Sequence, residues 1–191
     1  MKLRRATPDD ADALMALRIE AEQWLAQAGI DQWRNPRTRG PALAKWMADI
    51  EAGRTWAVVG NDQAVLATVT LAPPDMDFWQ ENDHPQNALY VAKLITARSS
   101  KGSHLGSRLL DWVAGQARRQ GKDWIRLDCW RSNTKLQEFY LFEGFRHIRT
   151  EAPSHRLSGW LGQRPASVVR HPESPLTDGN VAMKNAPTTA R

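Results

Sequence analysis

Apolar residues recur along the chain with two different spacings, one typical of helices and one typical of strands. An apolar residue at every third or fourth position predicts amphipathic helices. Alternation at every second position, as in Ile125, Leu127 and Cys129, predicts a strand. The predicted helices lie at 8–28, 41–52, from 105 onward and at 133–142, and the predicted strands lie at 2–6, 55–59, 64–71, 88–96, 124–130, 145–150 and 158–164.

The order of these elements predicts the fold class. The strands at 55–59 and 64–71 are separated by Gly60-Asn61-Asp62, a hairpin signal, so this pair is antiparallel. Helices separate several of the later strands, which allows parallel pairing as well. The mixture indicates an α+β protein. Pro, Ser, Thr, Gly and Asn accumulate after Pro165, so we expect one domain over residues 1–164 and a disordered tail over residues 165–191.

Composition narrows the class of protein. The chain has 191 residues, of which 41% are hydrophobic and 25% are charged, as in ordinary globular domains. No apolar run approaches the ~18 residues that a membrane span needs, and the first residues lack the apolar stretch of a signal peptide. A single cysteine, Cys129, excludes an intrachain disulfide, and the histidines show no metal-ligand spacing. We therefore expect a cytoplasmic protein with no membrane partner and no metal.

The basic charge points to a small polyphosphate ligand rather than to nucleic acid. The net charge is +5 and the sequence pI is about 9.7. The basic residues are scattered, with acidic residues between most groups, and they form no arginine-rich tract. We expect no nucleic-acid partner, but the positive bias would attract an anionic ligand.

One stretch combines a strand, a glycine-containing loop and the start of a helix. The first backbone N–H groups of a helix lack partners inside it, and the helix dipole adds positive charge there. Gly102 and Gly106 would let a phosphate approach the main chain, and Lys101 adds a full positive charge. This pattern favours a pyrophosphate site. Two glycines four residues apart also occur in ordinary turns, which is the alternative.

Two segments together resemble a known family. The segment 94–110, LITARSSKGSHLGSRLL, is similar to the acyl-CoA-binding motif of GNAT-type N-acetyltransferases, and the segment 133–145, NTKLQEFYLFEGF, is similar to that family's second motif. The resemblance implies a mixed, mostly antiparallel sheet with splayed central strands flanked by helices. It also implies that acetyl-CoA is the co-substrate. The residues that it implies for cofactor binding are Leu94, Ile95, Thr96, Lys101, Gly102, Ser103, His104, Leu105, Gly106, Ser107, Asn133 and Tyr140.

Two residues of the loop depart from the family pattern. Lys101 stands where the family usually has Arg or Gln, which keeps the charge but loses a bidentate phosphate contact. His104 stands where the family usually has Gly. Its side chain would either crowd the pyrophosphate or add a hydrogen-bond donor to it, and the sequence leaves both outcomes open.

Acetyl transfer to an amine needs a group to remove a proton and a group to supply one. A free alkylamine has a pKa near ~10.4, so a base or a water chain to a carboxylate must deprotonate it. We expect Asp128, on the strand beside the split, to be this base. The resemblance makes Tyr140 the acid that protonates the leaving thiolate, with packing against Phe139 and Phe142 as the alternative. The other candidate bases are Asp75, Asp77, Glu81, Asp83 and Glu22.

The sequence therefore predicts an acetyl-CoA-dependent N-acetyltransferase that acts on a primary amine by direct attack, with a small molecule favoured as the acceptor. Trp33 and Trp79 lie in segments that border the acceptor pocket in this family, and we expect them, with Asp128, to bind the substrate. A non-catalytic acyl-CoA-binding module with the same fold is the alternative. The sequence carries no signal for the oligomeric state or for the identity of the amine.

Overall fold

A computed structural model describes residues 1–179 as a seven-stranded sheet with four α-helices. The strands are β1 (Lys2–Arg5), β2 (Thr55–Val59), β3 (Val65–Ala72), β4 (Ala88–Thr96), β5 (Trp124–Trp130), β6 (Arg146–Thr150) and β7 (Ser158–Pro165). The helices are α1 (Ala11–Gln27), α2 (Arg39–Glu51), α3 (Leu105–Arg119) and α4 (Thr134–Phe142). The strands and helices predicted from the spacing are confirmed, with ends displaced by a few residues. None of the described helices is long and apolar enough to cross a membrane.

The sheet is antiparallel except at its centre. The strand order is β1-β2-β3-β4-β5-β7-β6, and only β4 and β5 are parallel. These two strands pair over three positions, from Ala88 with Trp124 to Tyr90 with Arg126. Beyond them β4 stays paired with β3, whereas β5 stays paired with β7. The two halves of the sheet therefore diverge after Tyr90, which confirms the splayed central strands implied by the resemblance.

A bulge in β4 accompanies the divergence. Thr68 pairs with Ile95, whereas Thr70 pairs with Ala92, so β4 contains one more residue than β3 across this interval. Lys93 lies inside the bulge with a φ of 49°, in the left-handed region. Such an extra residue bends a strand and increases its local twist. The bulge therefore directs the end of β4 away from β5.

Apolar side chains cover both faces of the sheet. Trp56 and Val58 on β2 belong to a cluster that includes Leu109 and Val113 of α3. Ala57, between them, belongs to a different cluster that contains Trp46 of α2, because successive residues of a strand point to opposite faces. Helix α3 thus covers one face of the sheet, and α1 and α2 cover the other, which leaves the split between β4 and β5 as the gap in the sheet.

The segment after β7 differs from the sequence-based expectation of a disordered tail. Asp111 of α3 accepts hydrogen bonds from the backbone of Arg170 and His171, at 2.8 and 2.7 Å. The N–H of Gly179 donates to Leu3 on β1 at 2.9 Å. The polar composition gave no sign of these long-range contacts, which lie within residues 165–179. Residues 180–191 lie outside the described residues.

Candidate active site

The divergence of β4 and β5 opens a cavity of about 750 Å³. Residues of both strands line it, together with residues of α2 and α4 and of the loop after β3. Asp128, Cys129 and Tyr140 lie on its walls, and so do Leu94 and Trp33. The sequence predicted four of these five residues as site residues, and Cys129 is the exception.

The loop that begins α3 has the geometry of an anion site. A 3₁₀ turn at Arg98–Ser100 leads into α3, whose first N–H groups, at Leu105, Gly106 and Ser107, have no carbonyl partner within the helix. A Cβ at Gly106 would lie 3.4 Å from the ring of Phe139, so a side chain at this position would be crowded. Without one, a ligand can approach the backbone of Gly106 closely. Gly102 has a φ of 84°, which glycine adopts without strain. The loop fits the phosphates of a CoA molecule.

Several side chains predicted to bind the cofactor are engaged within the protein. The hydroxyl of Ser103 donates to the carbonyl of Ser100 at 2.6 Å, and Leu105 is buried in the core beside α3. The hydroxyl of Ser107 donates to the buried Glu143 at 2.5 Å. These three residues can offer a ligand their backbone groups rather than their side chains.

His104 occupies a position that suits glycine. Its φ is 54°, in the left-handed region that a residue with a Cβ adopts at a cost. The histidine therefore bears a strain that a glycine at this position would avoid. The imidazole is exposed and its ring lies 5.0 Å from that of His171 in the segment after β7. Sequence reasoning missed this neighbour because it treated residues 165–191 as a disordered tail.

A buried polar cluster supports the first turns of α3. Arg164, fully buried on β7, donates to the carbonyl of Glu143 and to the side chain of Asp111, each at 3.1 Å. Burial lowers the pKa of Arg164, whereas Asp111 and Glu143 raise it. Because Glu143 also holds Ser107, the cluster connects β7, α3 and the end of α4. Nothing in the sequence pattern indicated this connection, since its members lie up to 57 positions apart along the chain, from Ser107 to Arg164.

Asn133 acts as a helix cap. Its side-chain oxygen accepts a hydrogen bond from the N–H of Leu136 at 3.1 Å, which satisfies one free donor of α4. Its side-chain nitrogen donates to Gln32 at 2.7 Å. The asparagine thus fixes the start of α4 and ties it to the loop before α2, next to Trp33.

Asp128, which is partly buried, and Tyr140, which is buried, lie on the cavity wall. Burial raises the pKa of Asp128, a hydrogen bond with Ser158 lowers it, and the nearby Asp75 raises it further. Burial also raises the pKa of Tyr140 well above its usual value. The ring of Tyr140 packs 5.3 Å from that of Phe139 and 5.4 Å from that of Phe145. Packing and exposure to the cavity therefore coexist at Tyr140.

Most of the other candidate bases are engaged in ion pairs. Asp75 lies 2.6 Å from Arg156, and Asp77 pairs with the same guanidinium. Asp83 lies 2.7 Å from Arg149. Glu22 holds Arg18 at 2.8 Å and Arg39 at 2.6 Å, and Glu81 is exposed in a short 3₁₀ turn. Of the six carboxylates considered, Asp75 and Asp128 line the cavity, and only Asp128 does so without an ion pair within residues 1–179.

Trp33 and Trp79 both line the cavity but differ in their surroundings. Trp33 is partly exposed, with a φ of 59°, and the guanidinium of Arg18 lies 4.8 Å from its ring. Trp79 is only 1% exposed and packs 5.7 Å from the ring of Tyr90. Trp33 can therefore offer a ring face to a ligand, whereas Trp79 contributes mainly to the core beneath the cavity.

Sequence reasoning missed a charged group on the wall formed by α2 and β4. Asp49 accepts from Lys93 at 2.5 Å and from Arg54 at 2.8 Å, and Lys45 lies on the same wall. The partners Asp49 and Lys93 are 44 positions apart in the sequence. No local pattern could have indicated this group. Within residues 1–179, no three His, Cys, Asp or Glu side chains are arranged to hold a metal ion.

Comparisons with known proteins agree with this geometry. Residues 17–145 match the model of the Acetyltransferase (GNAT) family. The chain is 28% identical over 156 residues to the Uncharacterized N-acetyltransferase YesJ of Bacillus subtilis (strain 168), a match that covers 80% of this chain and 85% of that protein.

Solved structures share the fold. A GNAT acetyltransferase from Listeria monocytogenes 4b F2365 superposes with a TM-score of 0.69 at 22% identity, over 85% of this chain and 93% of that one. The PaiA N-acetyltransferase from Thermoplasma acidophilum, solved in complex with coenzyme A, superposes with a TM-score of 0.65 at 15% identity, over 86% and 98% of the two chains. The splayed sheet, the loop before α3 and the family match over most of the chain lead to one conclusion: the protein is an acyltransferase that belongs to the GNAT family.

Proposed function

We propose that the protein transfers an acetyl group from acetyl-CoA to the primary amine of a small molecule by direct attack. The observation that carries the proposal is the cavity between β4 and β5, because Asp128 and Tyr140 line it and β4, which lines it as far as Leu94, continues into the loop before α3. Its volume of about 750 Å³ lies within the range of small-ligand pockets. This size favours a small-molecule acceptor.

The loop and the free edge of β4 would hold acetyl-CoA, which supplies an acetyl group activated as a thioester. The N–H groups of Gly106 and its neighbours would bind the pyrophosphate, and Lys101 would add charge to this site. Beyond Tyr90, β4 has no β5 partner, so its backbone groups can pair with the pantetheine arm as an added strand would. The family membership and a structural neighbour solved with coenzyme A support this assignment.

Asp128 and Tyr140 would move the two protons. During the transfer a C–N bond forms, a C–S bond breaks, the amine loses a proton and the departing sulfur gains one. Burial keeps the pKa of Asp128 raised, which makes its carboxylate a stronger base than an exposed one. The hydroxyl of Tyr140, whose pKa burial raises, is protonated at neutral pH and would supply the proton that the departing sulfur gains.

Cys129 is unsuited to carry the acetyl group itself. Burial and the adjacent Asp128 raise the pKa of its thiol to about 12, so the reactive thiolate is scarce at neutral pH. Direct attack by the amine on the thioester avoids a covalent enzyme intermediate and is therefore the route that we propose.

The experiment is a thiol-release assay. The full chain is mixed with acetyl-CoA and a set of small primary amines, and free CoA is measured over time against a reaction without amine. We expect amine-dependent release, with the acetylated amine identified by mass spectrometry. Tight binding of acetyl-CoA with no release for any amine would contradict the proposal and support the non-catalytic alternative.

A further inference from the structure

The charges on the cavity wall are unevenly distributed between its two ends. At the end formed by α2 and β4, Lys45, Arg54 and Lys93 face the cavity, and Asp49 is the one carboxylate there among the described residues. At the end formed by β5 and β7, Arg156 faces Asp75 and Asp128. The first end therefore carries an excess of two positive charges, and the second does not.

Both carboxylate oxygens of Asp49 accept hydrogen bonds from cationic side chains. Its Oδ1 accepts from Nε and Nη2 of Arg54, at 3.0 and 2.8 Å, and its Oδ2 accepts from Nζ of Lys93 at 2.5 Å. Asp49 is only 4% exposed, whereas the Arg54 side chain is 39% exposed. Both oxygens of the carboxylate therefore already accept from cations, and Nη1 of Arg54 makes no hydrogen bond within residues 1–179.

Lys45 is the cation at this end that makes no ion pair within residues 1–179, although Asp75 lies within its electrostatic range. It lies one turn before Asp49 on α2, it is exposed, and it makes no hydrogen bond or ion pair within residues 1–179. Burial lowers the pKa of Lys93, Asp49 raises it, and the nearby charges of Lys45 and Arg54 lower it again, so the three cations lie within electrostatic range of one another. An anion at the end formed by α2 and β4 would relieve the repulsion between these three cations.

The opposite end suits an amine. Both terminal nitrogens of Arg156 are taken by Asp75 and Asp77. Asp128 is left with the hydroxyl of Ser158 and with no ion pair. A ligand ammonium entering here would meet a partly buried carboxyl group that makes no ion pair within residues 1–179 and has Arg156 as a nearby cation.

We propose that the acceptor is an amine that also carries a carboxylate, with its amine next to Asp128 and its carboxylate next to Lys45 and Arg54. This inference rests on the proposed acetyl transfer and adds the class of the substrate. A diamine is the opposite case, because its second ammonium would approach three cations whose one carboxylate partner is already occupied. A monoamine without a carboxylate would offer Lys45 no anionic partner.

The test compares acceptors that share a carbon skeleton. The full chain and acetyl-CoA are assayed with 4-aminobutyrate, butylamine and 1,4-diaminobutane, and with leucine and leucinamide, so that two separations of amine and carboxylate are sampled. We expect kcat/KM for at least one carboxylated amine to be about tenfold higher than for the matching amine without a carboxylate. This is the effect of one charge-assisted contact. We expect 1,4-diaminobutane to be the poorest substrate of its set.

A variant of Lys45 tests whether the preference for carboxylated amines arises at the end formed by α2 and β4. Lys45→Met keeps a long side chain and removes the charge, and we expect it to raise KM for the preferred carboxylated amine about tenfold while kcat changes less. The same variant should leave KM for butylamine unchanged. Lys2→Met, on the edge strand β1 and away from both ends of the cavity, is the matched control and should behave like the native protein.

The outcomes separate the inference from the function on which it rests. The carboxylate site would be overturned, with acetyl transfer intact, if turnover were fastest with butylamine or 1,4-diaminobutane. The same holds if Lys45→Met changed KM equally for amines with and without a carboxylate. Binding of acetyl-CoA without turnover of any amine would overturn acetyl transfer and the acceptor class together.

Discussion

The split between β4 and β5 has two regions that are built in different ways. They are the proposed cofactor end, at the loop before α3, and the proposed acceptor end, which is the whole cavity. The cofactor end consists of backbone from one contiguous stretch, the end of β4, the loop and the first turn of α3. The acceptor end consists of side chains from α2, β4, β5 and the segments before β4 and β7. A site made of backbone depends on conformation, whereas a site made of side chains depends on which residues the fold brings together.

This difference explains which parts tolerate substitution. At the cofactor end, His104 adopts a left-handed conformation that would suit glycine, so the backbone conformation there is not specific to one side chain. At the acceptor end, the charge balance rests on single side chains such as Lys45 and Asp49, and one substitution changes it. We therefore expect substitutions at the cofactor end to act on acetyl-CoA affinity and substitutions at the acceptor end to act on the amine.

The largest effect is expected at Tyr140, where the two ends meet. Tyr140→Phe keeps the ring packing against Phe139 and Phe145 and removes the proton donor. We expect kcat to fall by ~10²–10⁴, the range for a lost general acid, with acetyl-CoA affinity unchanged. Steady-state kinetics and calorimetry on the same preparation measure the two quantities. A variant with full activity would remove Tyr140 from the mechanism.

Asp128→Asn tests the acceptor end through its pH dependence. Burial raises the pKa of Asp128, so the native enzyme should gain activity as the pH rises through that value, and the variant should lose this limb and about 10²-fold in kcat. An unchanged pH profile of kcat/KM would show that another group is the base.

The same variant has a predicted effect on stability. Because the pKa of Asp128 is raised in the folded state, the stability that its proton contributes is present below the ordinary aspartate pKa and is lost as the pH rises through the raised value. Asp128→Asn should therefore have a higher Tm than the native protein at pH 7, and the difference should shrink toward low pH. Thermal unfolding across a pH series measures this, and the opposite trend would contradict burial as the cause.

Gly106→Val tests the cofactor end alone. A Cβ at Gly106 already lies 3.4 Å from Phe139, so the larger side chain must displace the ring or the loop. We expect acetyl-CoA affinity to fall about 10- to 100-fold, as overpacking of this size costs. Gly40→Val, at a helical glycine with nothing within 4 Å, is the control. Equal affinities in the two variants would place the phosphates elsewhere.

The smallest effect is expected at His104. His104→Gly removes a strained left-handed residue but also loses the packing against His171, so the free energy of unfolding should change by less than about 1 kcal/mol. If the backbone alone makes the cofactor end, acetyl-CoA affinity should also stay within about threefold of native. A larger loss of affinity would show that the imidazole itself is a phosphate donor.

The sequence predicted the parts of the molecule that local patterns encode. Apolar spacing was sufficient for the strands and helices, and the glycines with Lys101 indicated the loop before α3. The splay of β4 and β5 came only from the family resemblance, and no local signal marks the bulge at Lys93 that accompanies it.

Long-range contacts explain what was not predicted. Asp49 meets Lys93 and Asp111 meets the backbone of Arg170 only after the chain has folded. A polar composition after Pro165 indicated disorder, yet two backbone N–H groups of that segment donate to Asp111 on α3. Specificity determinants made of such contacts are visible in the structure and not in the sequence.

Calorimetric titration of the full chain with acetyl-CoA, with ATP as the control, tests the central claim most directly, because both ends of the split have a role only if the loop before α3 binds the cofactor. The account predicts micromolar binding at a single site, with little binding of ATP, and about 10- to 100-fold weaker binding by Gly106→Val. An absence of acetyl-CoA binding at low salt, or undiminished binding by Gly106→Val, would contradict it.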